Sequence, residues 1–140
     1  MNQKFISLVA ILICACLLAG CATQNSRPVP QVTINQPKGN TPFDKYDSAL
    51  VQTVQNRWFD LLNSKPLWTD RKGKVVVQFH LHSDGTVSDL KILDNEVGDL
   101  HGYVCEKAIK SSAPFGPWPP DMVRMLNEDY RTITFTFNYY

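Results

Sequence analysis

The sequence has almost no excess of charge of either sign. Lysine and arginine number 14, and aspartate and glutamate number 13, among 140 residues. Because nucleic-acid binding usually needs a basic surface that displaces phosphate counterions, this balance argues against nucleic acid as a partner. The chain also lacks internal repeats, an acidic tail and a Gly/Ser tract. Its length therefore suits one domain plus a tail.

No apolar run is long enough to span a membrane. The run from Phe5 to Leu18 has fourteen residues, whereas a spanning helix needs about 20. A run of this length after Lys4 is typical of a signal peptide, and Leu18-Ala19-Gly20-Cys21 resembles the lipobox of bacterial lipoproteins. We predict a lipoprotein signal peptide at residues 1–20 and lipid attachment at Cys21. An ordinary signal peptide with an incidental cysteine is the alternative.

Acylation of Cys21 would hold the protein on the periplasmic side of the cell envelope. A terminus that carries several acyl chains anchors stably to a bilayer, unlike a terminus with a single chain. In the enterobacterial lipoproteins that this segment resembles, a residue other than Asp after the lipidated cysteine favours the outer membrane. Ala22 occupies that position here. The membrane is thus a predicted partner, through palmitate and diacylglycerol on Cys21.

Cysteine is scarce outside the signal segment. Cys14 and Cys16 would leave with the signal and Cys21 would be blocked by lipid, so that Cys105 alone remains. No internal disulfide can then form, even in an oxidising compartment. Cys105 is predicted to be a small buried hydrophobe on a helix, with a reactive thiol as the alternative.

The segment after the lipobox is polar and rich in proline. Residues 21–42 contain Pro28, Pro30, Pro37 and Pro42 and show neither a helical nor a strand period. This composition predicts a flexible tether that reaches about 70 Å when fully extended, at roughly 3.3 Å per residue. The folded domain is predicted to span residues 43–140.

Apolar periodicity predicts a helix and then a hairpin. Apolar side chains recur at steps of three and four over residues 43–63, which indicates an amphipathic helix. From Lys74 to Asp94, apolar and polar residues alternate around Asp84-Gly85. Asp-Gly is a strong hairpin signal because glycine supplies the positive φ of a tight turn. A bulge near Ser88-Asp89 would reconcile the parity of the second strand.

The remaining segments complete a two-layer domain. We predict a helix at residues 100–111 and a helical turn at residues 121–128. Between them, we predict that residues 113–120 form an extended proline-rich segment on the surface. Arg131 to Tyr139 alternates as a strand. We predict an α+β sandwich with a three-stranded antiparallel sheet in the order 2-1-3 and two helices on one face. The last strand then lies at an edge with free N–H and C=O groups.

Four motifs occur in order along this domain. They are Val75-x-Val77-x-Phe79-x-Leu81-x-x-Asp84-Gly85-x-Val87, Ala108-Ile109, Ala113-Pro114-Phe115-x-Pro117-Trp118-Pro119 and Ile133-x-Phe135-x-Phe137. Together they resemble the C-terminal domain of TonB and its TolA-like relatives. In that family the last strand receives an extended peptide from a partner, such as an outer-membrane receptor, through backbone hydrogen bonds.

The resemblance implies a protein-binding module linked to envelope transport, with no catalytic residue and no cofactor. The implied partner-binding residues are Thr132, Ile133, Thr134, Phe135, Thr136, Phe137 and Asn138. TonB and TolA keep an uncleaved membrane helix that couples to a proton-driven motor, whereas residues 1–20 predict a cleaved signal. We therefore predict a tethered binding module rather than an energy transducer.

Two other functions are consistent with the sequence. An envelope scaffold could dimerise weakly through the same edge strand, because edge strands invite pairing. A metal-dependent enzyme could use His80 and His82, which share one face of a strand, with His101, Asp84 or Asp89 as a further ligand. No residue stands out in the sequence as a third metal ligand. The sequence also contains no recognisable Ser-His-Asp arrangement or glycine-rich phosphate loop, so we predict neither an enzyme nor a metal site.

Overall fold

The computed structural model describes residues 29–36, 39, 41–65 and 67–140. The signal peptide predicted at residues 1–20, the lipid site predicted at Cys21 and part of the predicted tether lie outside the described residues. Within the described ranges, no helix combines the length and the apolar character that crossing a membrane requires.

Strands and helices are interspersed along the described chain. They are β1 (Gln31–Ile34), α1 (Pro42–Ser64), β2 (Gly73–His82), β3 (Val87–Asn95), α2 (Asp99–Ser112), α3 (Pro120–Leu126) and β4 (Tyr130–Tyr139). The strands form one antiparallel sheet in the order β1-β4-β2-β3. The α+β class and the neighbour order of the three longer strands are confirmed. The predictions of three strands and two helices are wrong, since the described part of the chain has four strands and three helices.

The start and the buried stripe of α1 follow from its sequence. Thr41 precedes the helix in an extended conformation, and the Asp44 carboxylate accepts its N–H at 3.2 Å. Pro42 occupies the first helical turn, where its missing N–H would have no helical partner in any case. The apolar stripe then buries Leu50, Val54, Trp58 and Leu62 against the sheet.

The β2–β3 hairpin keeps the predicted alternation and the predicted bulge. The inward side chains of β2 are Val75, Val77, Phe79 and Leu81, all fully buried. Gly85 takes a φ of +85° in the turn. The pairing register shifts between Gln78 and His80, and Asp89 opposite them takes a φ of +50°. This local irregularity is the bulge predicted at that point.

The proline-rich segment docks on the hairpin turn. Phe115 donates its N–H to the Gly85 carbonyl at 2.9 Å, and Trp118 donates its N–H to the Ser83 carbonyl at 2.8 Å. These bonds hold the segment extended, as predicted, and Trp118 is buried. On α3, Met122 is buried, but Met125 is 60% exposed. A helix of seven residues presents little more than one inward position to the core.

The fourth strand comes from the segment predicted as a tether. Val32 and Ile34 alternate with Gln31 and Thr33, and β1 pairs antiparallel with β4. Val32 is only 4% exposed and joins the core below the sheet, while Ile34 is partly buried. The stability of β1 therefore depends on a partner strand about a hundred residues later in the chain.

Candidate protein-docking edge

β4 lies inside the sheet, not at its edge. On one side it pairs with β2 from Tyr130 to Tyr139, and on the other side Phe135 to Asn138 pair with β1. The predicted edge position of this strand is therefore corrected. The physical reason is that, in the sheet, residues 31–36 bond the β4 backbone and bury Val32. A tether left in solvent would gain no such apolar burial.

The backbone groups that β4 directs away from β2 are covered by residues 31–36. Asn35 donates its N–H to the Thr134 carbonyl at 2.9 Å. Because hydrogen-bonded partners alternate in an antiparallel pair, Thr33 and Gln31 bond Thr136 and Asn138 in the same way. The Gln36 side chain donates Nε2–H to the Thr132 carbonyl at 3.1 Å. β1 and its two following residues thus occupy the place predicted for a partner peptide.

The seven candidate binding residues divide into two sets. Ile133, Phe135 and Phe137 are fully buried beneath the helices, so their side chains cannot contact a partner. Thr132, Thr134, Thr136 and Asn138 point to the open face of the sheet and are at least partly exposed. A partner strand would therefore be held by backbone bonds to the second set.

A groove runs between β1 and α1. Its volume is about 540 Å³, and it is lined on the strand side by Val32, Thr33, Ile34 and Gln36 and on the helix side by Asp44, Asp47, Ser48, Val51, Gln52 and Gln55. The Gln55 side chain accepts the outward-facing Val32 N–H at 3.1 Å. The Gln55 amide thus accepts the hydrogen bond that a carbonyl group of a further strand would otherwise accept.

A nearly buried ion pair lies beside the groove, which its aspartate, Asp47, helps to line. The Arg131 guanidinium donates to both Asp47 carboxylate oxygens, at 2.8 and 3.0 Å. The two side chains are only 9% and 11% exposed, and the guanidinium lies 4.9 Å from the centre of the Phe43 ring. The pair fixes α1 to the start of β4, next to Thr132.

The opposite edge of the sheet is built differently. β3 has two register irregularities against β2, and its exposed side chains include Asp89, Lys91 and Asp94. Bulges and charges are the usual means by which natural sheets discourage strand addition. β1 has neither, since Gln31–Ile34 carries no charge and pairs without a register shift.

The histidines predicted as possible metal ligands do not form a site. His80 and His82 share the open face, where the His80 Nδ1 lies 3.1 Å from the Asp89 carboxylate. His101 lies on the helix side, against the Tyr139 ring. The Asp84 carboxylate accepts the Thr86 N–H and hydroxyl. Across the described ranges, no group of three His, Cys, Asp or Glu residues is arranged to hold a metal.

The serine beside these histidines is not arranged as a nucleophile. The Ser88 hydroxyl donates to the Asp89 carboxylate at 2.8 Å, and His82 Nε2 lies 2.8 Å from the same hydroxyl oxygen. A serine nucleophile must instead donate its proton to the histidine. The Ser88 hydroxyl, and then the nearby His80, lower the pKa of the Asp89 carboxyl.

Cys105 is the buried residue that the sequence predicted. It is fully buried on α2, and its Sγ lies 3.5 Å from the Tyr139 hydroxyl. The same hydroxyl accepts the Trp58 indole N–H at 3.1 Å. Burial raises the pKa of the Cys105 thiol to about 12 and also raises the pKa of the Tyr139 hydroxyl. The thiol is therefore protonated at neutral pH and unsuited to nucleophilic chemistry.

Comparison with known proteins supports the resemblance that the motifs indicate. No family model matches the chain. A stretch of 54 residues, 39% of this chain, is 33% identical to Protein TonB from each of two strains of Helicobacter pylori. The chain is similar to TonB. The predicted resemblance is thus confirmed over this stretch, although the match covers only 19% of the length of each TonB relative.

Two solved structures also align with the chain. Both are solution structures of the C-terminal domain of Helicobacter pylori TonB. One has a TM-score of 0.43 and 22% identity and covers 73% of this chain and 96% of that domain. The other has a TM-score of 0.44 and 19% identity and covers 74% of this chain and 95% of its own.

Sequence reasoning missed β1 and its contacts with α1. The signal was present in the alternation of Val32 and Ile34 with Gln31 and Thr33, but four residues between prolines are too few to define a period. Gln55 and Gln36 gave no signal, because exposed glutamines are ordinary on helices and loops.

Proposed function

We propose that this chain is a protein-binding module of the bacterial cell envelope, in which an extended segment of a partner protein pairs with β4 along Thr132–Asn138. The observation that carries the proposal is how little covers this side of β4. The cover is a strand of four residues with one side chain in the core, Val32. Strand addition derives its affinity from backbone hydrogen bonds. β4 directs a full row of backbone groups to this side, where residues 31–36 bond them in the free protein.

The other edge of the sheet supports the choice of side. β3 carries bulges and charged residues that disfavour pairing, and the β1–β4 side carries neither. The resemblance to the TonB C-terminal domain implies the same strand as the receiving one. The proposal assigns no catalytic step, in keeping with the protonated Cys105 thiol and the unactivated Ser88 hydroxyl.

The proposal also includes a lipid anchor on Cys21 in the outer membrane. We expect Cys21→Ala to abolish incorporation of labelled palmitate and to release the protein from the membrane fraction. Cys105→Ala is the matched control, because a buried cysteine cannot be acylated and its replacement should leave the label unchanged. Label retained by Cys21→Ala at the wild-type level would contradict the anchor.

Docking on β4 is tested by photo-crosslinking in intact cells. A photoreactive residue at Thr132 or Thr134, on the open face beside the covered backbone, should capture the same partner protein. The control is a probe at Lys91, which lies on the open face at the β3 edge and should not capture that partner. The captured partner should be linked through an extended segment, identified by mass spectrometry of the joined peptides.

Two results would count against this function. Equal capture from Lys91 and Thr134 would show that contact is not specific to the β4 side. A product that consists only of two copies of this chain would favour the scaffold function instead.

A further inference from the structure

β1 is a small part of the sheet but, together with Asn35 and Gln36, covers the whole proposed docking row. It has four residues, against ten in each of β2 and β4. Its buried apolar contact is Val32, with Ile34 only partly buried. Cooperative units of a fold open with free energies that follow their buried contacts, so a segment this small can open without the rest.

The surroundings of β1 suit a strand that leaves and returns. Its outer side is open to the groove, where the Gln55 amide, not a neighbouring strand, accepts the Val32 N–H. Beyond β1, Asn35 bonds β4 through its N–H and its side chain, and Gln36 does so through its flexible side chain. β4 itself stays fixed when β1 opens, because it pairs with β2 over ten residues and is held to α1 by the Asp47–Arg131 ion pair.

We infer that β1 is an exchangeable strand that occupies the docking row in the free protein, so that a partner binds by replacing it. The inference rests on the proposed function and adds the chemistry of the partner. The replacing segment must be extended and uncharged, with aliphatic residues in the positions of Val32 and Ile34 and polar residues in those of Gln31 and Thr33. β1 is itself the template for this pattern.

Release of β1 also changes the reach of the domain, given the anchor proposed at Cys21. With β1 paired, residues 22–30 connect the lipid to the sheet and span at most about 30 Å. With β1 released, the connection extends to Thr41, just before α1, and spans at most about 70 Å. Release of β1 would therefore both free the docking row and let the domain reach partners farther from the membrane.

Amide hydrogen exchange of the full chain tests the opening without any partner. Thr136 and Asn138 direct their N–H groups to β1, whereas Phe135 and Phe137 direct theirs to β2. We expect protection factors at Thr136 and Asn138 to be at least about tenfold lower than at Phe135 and Phe137. Equal protection at all four amides would show that β1 opens only with the whole fold and would overturn the inference.

Val32→Ser sharpens this measurement. Loss of the buried valine should lower protection at Thr136 and Asn138 by a further factor of about ten, with little change at Phe135 and Phe137. Val29→Ser is the matched control, because Val29 is 67% exposed and the same change there should alter none of the four. A Val32→Ser variant with wild-type protection would also overturn the inference.

A reversible lock tests the replacement step. Thr33 and Thr136 are register partners on the open face, and the typical separation of such Cα atoms, about 5.5 Å, suits a disulfide. In the Thr33→Cys/Thr136→Cys variant, oxidation should reduce partner capture from a Thr134 probe at least tenfold, and reduction should restore it. Each single cysteine variant controls for the substitution itself.

The arms separate failure of the inference from failure of the proposed function. Undiminished capture by the oxidised variant would overturn the replacement step while leaving partner binding intact. No capture by the wild type, the single variants or the reduced variant would overturn the proposed function and, with it, the replacement step. The exchange measurement would still decide whether β1 opens separately.

Discussion

Replacing Asp47 by alanine is expected to lower the free energy of unfolding by about 3–5 kcal/mol. Both members of the Asp47–Arg131 pair are nearly buried, and the guanidinium makes two bonds to the carboxylate. Without Asp47, the Arg131 charge remains against the Phe43 ring in a site that water barely reaches. The loss would appear in guanidinium denaturation as a lower midpoint with an unchanged slope.

Two further variants separate the ion pair from helix effects. Asp60→Ala alters an exposed aspartate on the same helix and should change stability by less than about 0.5 kcal/mol. Asp47→Leu with Arg131→Met removes both charges and should recover most of the loss, because apolar pairs can replace a buried ion pair at little cost. An Asp47→Ala variant within about 1 kcal/mol of the wild type would show that Arg131 finds solvent instead.

The sequence predicted correctly those features that depend on interactions between residues close together in the chain. The Asp84-Gly85 turn was predictable because a positive φ is needed at one position and glycine supplies it. The bulge was predictable from the change of parity alone, and Asp89 takes the left-handed conformation there. The buried stripe of α1 followed from steps of three and four residues.

Long-range pairing was not predictable in the same way. β1 is a strand of four residues that lies between Pro30 and Pro37. It forms because it pairs with β4, with Val32 opposite Phe137. The Asp47–Arg131 pair joins residues 84 positions apart. No sequence signal near either residue indicates such a long-range contact. Without a signal for β1, the sequence predicted that β4 lies at an edge of the sheet.

The candidate site was therefore predicted in part. The resemblance and the neighbour order both pointed to Thr132–Asn138, and the similarity to TonB over 54 residues supports the resemblance. What the sequence could not show is that residues 31–36 already bond this row. The question about the site thus shifts from whether the row is vacant to how readily its occupant leaves.

Replacing Trp58 by alanine is expected to cost about 3–5 kcal/mol of unfolding free energy. Trp58 is a fully buried residue of α1 whose ring packs edge-on to Phe137 and Tyr139, at centroid distances of 5.2 and 5.0 Å. Trp58→Phe keeps most of the ring but removes the N–H donated to the Tyr139 hydroxyl. This second variant should cost less, about 1–3 kcal/mol.

The exchange pattern of Trp58→Ala should differ from that of Val32→Ser. Trp58 fastens α1 to the buried side of β4, so its loss should lower protection at Phe135 and Phe137 as well as at Thr136 and Asn138. Val32 holds only β1, so its loss should lower protection at the second pair alone. If both variants gave the same pattern, β1 and β4 would open as one unit, because a shared opening exposes both rows of amides together.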